Sequence, residues 1–166
     1  MITMKRLLSL IPVLLLCACA TGPKLDTAGA QMTLTPGEAV QQFDAFRNEK
    51  VVWGGLIVDG TNLEGATRLE ILAYPLGDDN RPDTQRQPFG RFLVRKEGYL
   101  ELSDYTPGRT ITVVGTLTDT REGRVGQAPY TYPVIRPSQM HLWRPETAGG
   151  TYRPSVHFGI GVIFGN

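Results

Sequence analysis

The chain has 166 residues, 41% hydrophobic and 20% charged, enough for one domain with a real core plus extra segments at its ends. Its 19 glycines and 12 prolines favour turns and short strands over long helices. Net charge is +1; without residues 1–18, which carry Lys5, Arg6 and no acid, 15 basic residues face 16 acidic ones. A near-neutral chain gives no support for strong phosphate binding, and no nucleic-acid partner is expected.

Lys5 and Arg6 open the chain as a short basic region, and Leu7 to Leu16 follow as an apolar run of ten residues. That run is too short to span a bilayer, which needs roughly 20 residues, and has the shape of an export signal. It ends in L-C-A-C, residues 16–19, which hold the only two cysteines, Cys17 and Cys19. A C-x-C ring is too tight for an ordinary disulfide, no nearby histidine completes a metal set, and a redox pair normally reads C-x-x-C. The stretch resembles the lipobox of bacterial lipoproteins. That resemblance implies cleavage after Ala18 and a lipid on Cys19, since cleavage before Cys17 would leave Leu16 where a small residue is needed. Acyl chains supply anchorage at about 0.8 kcal/mol per buried methylene, and stable attachment takes more than one chain. Residue 20 is Ala rather than the Asp that resembles an inner-membrane retention signal, which points to the outer membrane.

Residues 19–35 are small and polar without periodicity and read as a lipidated tether. Thr35-Pro36-Gly37-Glu38 supplies an N-cap, a first-turn proline and an early acid, and predicts a helix to about residue 47 with Ala39, Phe43 and Phe46 on its apolar side. From Val51 the period becomes that of strands, over 51–58, 67–74, 90–95, 109–118, 131–135 and 139–143. Asp59-Gly60 and residues 120–124 are expected as turns, and 77–88 as a polar loop. Gly115 within a strand signals a bulge or tight bend. Leu69, Ile71, Ile111, Val113 and Leu117 are expected inside. The fold class is therefore mainly β: a small antiparallel OB-like barrel over 36–143 with one N-terminal helix, a sandwich being the alternative. Residues 144–166 form a Pro/Gly-rich tail, in which Val156, Phe158, Ile160, Val162 and Phe164 alternate as in a terminal strand.

V-W-G-G-x-I-V (52–58), L-E-I-L-A-Y-P-L (69–76), G-R-F-L-V-R (90–95), the run 99–117, P-Y-T-Y-P-V-I (129–135) and M-H-L-W (140–143) follow one another behind the lipobox. In this order they are similar to the Slp family of outer-membrane lipoproteins, over about residues 17–143. The resemblance implies a lipid-anchored outer-membrane protein with an OB-like barrel. It brings no catalytic residues.

Chemistry has little to draw on. His141 and His157 are the only histidines, and Ser103, Ser138 and Ser155 lack a nucleophile-elbow setting. Asp78, Asp79 and Asp83 lie in a loop without calcium-loop spacing, and Glu97 and Glu101 read as exposed acids. No enzymatic activity, no metal and no cofactor beyond the covalent lipid on Cys19 are expected. The expected role is structural or interactive within the cell envelope, as in a stress or starvation response. The alternative is a periplasmic binding module for a glycan or peptidoglycan fragment. Its weak candidate face is Trp53, Tyr74, Phe92, Arg91 and Arg95, on which aromatic side chains would stack and arginines would neutralise charge, although Trp53 and Phe92 at strand positions more often belong to the core.

Overall fold

The computed structural model describes residues 24–145. Cys19, the export signal and the alternating tail lie outside the described residues. Helices α1 (Pro36–Gln41) and α2 (Phe43–Phe46) precede strands β1 (Lys50–Leu63), β2 (Ala66–Tyr74), β3 (Arg91–Glu97), β4 (Thr110–Val125) and β5 (Ala128–Leu142). The strands close into a barrel in the order β1-β2-β3-β5-β4. All neighbours are antiparallel except β3 and β5, which join in parallel through Leu93–Val134 and Val94–Ile135.

Alternation explains the core. Leu69, Ile71 and Ala73 of β2, Phe92 and Val94 of β3, and Ile111, Val113 and Leu117 of β4 are all fully buried. Trp53 joins them with its ring 5.2 Å from that of Phe92. The predicted helix is present in two pieces, because Gln42 leaves helical geometry at φ −120°, ψ 35°. The start is as expected: the Thr35 hydroxyl accepts from the Glu38 amide, and the Glu38 carboxylate accepts from the Thr35 amide.

Both expected turns lie inside strands. Asp59-Gly60 sits just beyond a β-bulge in β1, where register shifts between Ile57 and Asp59, and the chain reverses at Gly65, φ 70°. Residues 120–124 continue β4, which reverses at Gly126. Likewise, the two expected C-terminal strands are one, β5, bent by a bulge at Ser138 opposite Val114 and Gly115. The bulged Ser138 donates its hydroxyl to the Val114 carbonyl, and Thr118, at the second bulge, donates to that of Val134. Gly115 is required there, since a Cβ would stand 2.5 Å from the Arg136 carbonyl oxygen. Local turn signals lose to a bulge when the residues beyond it still bury a cross-strand face.

The segment before the helices is held to the barrel. Asp26 pairs with Lys50 at 3.0 Å, and its amide donates to Gln139 Oε1. Gln31 bridges Val51 in parallel, Leu34 is buried, and the Trp53 indole donates to the Leu34 carbonyl at 2.6 Å. From Asp26 onward the expected tether is part of the folded unit.

Candidate functional site

The five residues expected to share a face do not share one. On β3 the pleat sends Phe92 and Val94 inward and Arg91, Leu93 and Arg95 outward. Trp53 is 2% exposed and Phe92 0%, so neither can stack on a ligand. Tyr74 lines a separate apolar crevice with Leu34, Trp53 and Phe89. Arg91 is committed to Glu70, Nη1 to Oε1 at 2.6 Å. Only Arg95 remains exposed on an open surface.

That surface is a recess of about 310 Å³ on the outer side of β2, β3 and β5. Its floor is Leu93 and Val134, its flank Leu63 near the β1–β2 turn, and its opposite wall the β4 residues Thr118 to Arg121. Arg68 and Arg95 stand in it directly opposite each other across the β2–β3 ladder. A second recess of about 320 Å³ shares Arg95 and Thr118 with it and adds Arg136 and Glu97.

Beside the recess, where Tyr132 packs against Leu93 and Val134, runs a polar network. The Tyr132 hydroxyl lies 3.3 Å from Glu70 Oε1 and 3.0 Å from the Arg124 carbonyl. Burial, and secondarily the Glu70 charge, push the Tyr132 hydroxyl above its ordinary pKa, so it stays protonated and can donate. The Tyr130 hydroxyl accepts from the Arg91 amide at 2.8 Å, and the two tyrosine rings meet edge-on at 4.6 Å. These contacts tie the protruding β4–β5 ribbon to β2 and β3. A two-stranded ribbon is marginal by itself, so this network braces it against the barrel.

Sequence reasoning missed Arg68, Arg121 and Arg136, because strand register rather than spacing brings them together. Several of the residues weighed for catalysis are engaged elsewhere, while His157 and Ser155 lie outside the described residues. His141 packs edge-on against Trp143 at 4.5 Å, and Ser138 occupies a bulge. Asp79 and Asp83 accept from the amides of Arg81 and Gln85 two residues on. Among the described residues, no group of three His, Cys, Asp or Glu side chains could hold a metal ion.

A closed five-stranded barrel in this order, with a recess on the β2–β3 side between two hairpins, is an OB-type barrel. The sequence profile of the outer membrane lipoprotein Slp family matches residues 16–161, and the chain belongs to that family, whose members are outer-membrane lipoproteins. The match extends past Trp143, so part of the tail belongs to the family pattern as well. The chain is 30% identical to the uncharacterized lipoprotein YeaY of Escherichia coli, over 78% of this chain and 67% of that one. It is 25% identical to the outer membrane protein Slp of Escherichia coli, over 90% of this chain and 80% of that one. An uncharacterized Haemophilus influenzae protein is 37% identical over 57% of this chain, which spans about half (51%) of that relative's length. Among solved structures, the mitochondrial single-stranded DNA binding protein Rim1 of S. cerevisiae is similar at 15% identity and a TM-score of 0.38, over 57% of this chain and 94% of that one. The small single-stranded DNA-binding protein of Streptomyces coelicolor gives 15% and 0.37, over 58% and 93%.

Proposed function

We propose that this outer-membrane lipoprotein carries its lipid on Cys19 after loss of residues 1–18, and acts in the envelope by contact rather than by catalysis. Its working surface is the recess on the β2–β3 side. The observation carrying this reading is the recess itself, bordered by Leu63 near the β1–β2 turn and by the β4 wall, beside the Tyr130, Tyr132, Glu70 and Arg91 network that ties the β4–β5 ribbon to β2 and β3. OB barrels take ligands on this side, with the neighbouring loops as walls.

Two experiments test the two halves. Cys19→Ser should abolish palmitate labelling and leave unprocessed precursor, whereas Cys17→Ser should be tolerated; labelling that survives Cys19→Ser overturns the anchor assignment. A photocrosslinking side chain at Arg121, on the recess wall, should form envelope adducts in living cells, whereas one at Thr106, in the loop before β4, should not. Equal adducts from both positions, or none from Arg121, overturn the surface assignment.

A further inference from the structure

The recess carries a charge pattern that the overall near-neutral composition conceals. Arg68 of β2 and Arg95 of β3 are register partners. One residue beyond the Val94–Ile135 pair of the parallel seam stand Arg95 and Arg136, which line the same recess. Three arginines thus form a row across three adjacent strands, and Arg121 faces the row from the β4 wall.

Like charges directly opposite on neighbouring strands destabilise a sheet, and folded proteins ordinarily place acids among them. Here none of the four arginines forms an ion pair among the described residues. Arg68 donates only to the Thr61 hydroxyl, at 3.3 Å. Arg95, Arg121 and Arg136 make no hydrogen bond or ion pair among the described residues. Two acids line the recesses, Asp119 and Glu97, and Asp119 accepts from the Thr120 amide at 2.8 Å. Four arginines against two acids leave a local excess of two positive charges. Guanidinium groups side by side suit phosphate oxygens, which they grip bidentately.

The row also stands near the N-terminal end of the described residues, the end that the anchored reading above places toward the membrane. Arg136 pairs in register with Thr116, and Thr116 with Lys50, which binds Asp26. The segment leading back to Cys19 leaves the barrel there.

We infer that Arg68, Arg95 and Arg136, with Arg121 opposite, form a binding site for the phosphate headgroups of anionic lipids in the membrane that holds the anchor. The inference rests on the anchored, contact-based reading above and names its ligand. The lipid fixes the protein to the membrane, and the arginine row then sets which side of the barrel faces the headgroups.

The test uses the lipid-free chain, residues 20–166, which lacks the export signal and Cys19, sedimented with phosphatidylcholine vesicles alone or containing phosphatidylglycerol. The wild type should favour the phosphatidylglycerol vesicles and lose them as salt rises. Replacing Arg68, Arg95 and Arg136 together by Gln should weaken that binding on the order of a hundredfold, about fivefold per surface cation. Arg86→Gln, in the 77–90 loop, should not. Arg95→Gln alone should keep or raise the melting temperature, since it relieves repulsion, while still lowering vesicle binding. Equal binding by wild type and triple variant overturns the inference, as does equal affinity for both vesicle types. Arginine-dependent binding of inorganic pyrophosphate without vesicle binding also overturns it, by assigning the row to a soluble phosphate. If vesicle binding fails while Arg121 crosslinks persist, only the lipid assignment falls and the contact surface stands.

Discussion

A methyl group on Gly55 would overlap the Leu72 carbonyl oxygen, because β1 and β2 pass too close there for any Cβ. The obstacle is backbone, which cannot turn aside as a side chain does. Gly55→Ala should therefore destabilise the barrel more than its single added carbon suggests. Ile111→Ala gives the scale: this fully buried side chain should cost about 2–5 kcal/mol, a large share of a small domain's stability. Thermal denaturation of both variants checks the pair, and a Gly55→Ala melting point close to wild type would mean that the strands separate there at little cost. At this scale the sequence was partly readable. Leu69, Ile71, Ile111, Val113 and Leu117 were expected inside from alternation, and all are fully buried. The same alternation, applied to β3, separates Phe92 from Arg91 and Arg95, in keeping with the core reading that competes with Phe92 as a binding residue.

At the scale of elements, the helix start was legible because a capping box is a local pattern, whereas the strand ends were not. Asp59-Gly60 has the composition of a turn, but its strand runs on to pair Gly60 with Leu69 and Thr61 with Arg68. Only the partner strand carries that information. The arginine row was hidden for the same reason, its members standing at 68, 95 and 136, with no spacing that marks them as neighbours. The capping box has a pH dependence of definite sign. Hydrogen bonds from the Thr35 amide, then from its hydroxyl, hold the Glu38 carboxyl below its ordinary pKa of 4.5. A lowered folded-state pKa means a contribution fully present above 4.5 and lost as pH falls through the lowered value. Protection of the Thr35 amide, its exchange rate relative to the intrinsic rate at the same pH, should fall below that range in the wild type, and Glu38→Gln should remove most of the dependence. An unchanged protection factor between neutral and acidic pH would dissociate the carboxylate from the cap.

For the whole molecule, the docking of the N-terminal segment depends on one indole. Trp53→Phe keeps the aromatic packing on Phe92 but removes the hydrogen bond to the Leu34 carbonyl, leaving a buried acceptor at a cost of about 1–3 kcal/mol. Limited proteolysis should then cut within residues 24–35 well before the barrel opens. Cutting at the wild-type rate would show that Asp26–Lys50 and Gln31–Val51 suffice. Barrel closure itself was foreseeable in outline from short strands and their alternation, but its order was not. The parallel β3–β5 seam joins residues about 40 apart through two register pairs, and nothing local announces it.

That docked segment also sets a height. Between Cys19 and Asp26 lie seven residue steps, which span at most about 25 Å when fully extended. If the lipid sits on Cys19, the barrel can neither swing far out into the periplasm or medium nor search a large volume. It patrols a layer hardly thicker than itself, where molecules held in the same membrane are met at high effective concentration and freely diffusing ones gain nothing. A spacer of flexible residues inserted before Asp26 would thicken that layer without touching the fold. Adducts formed from Arg121 with membrane-bound neighbours should then decline, while barrel stability stays the same.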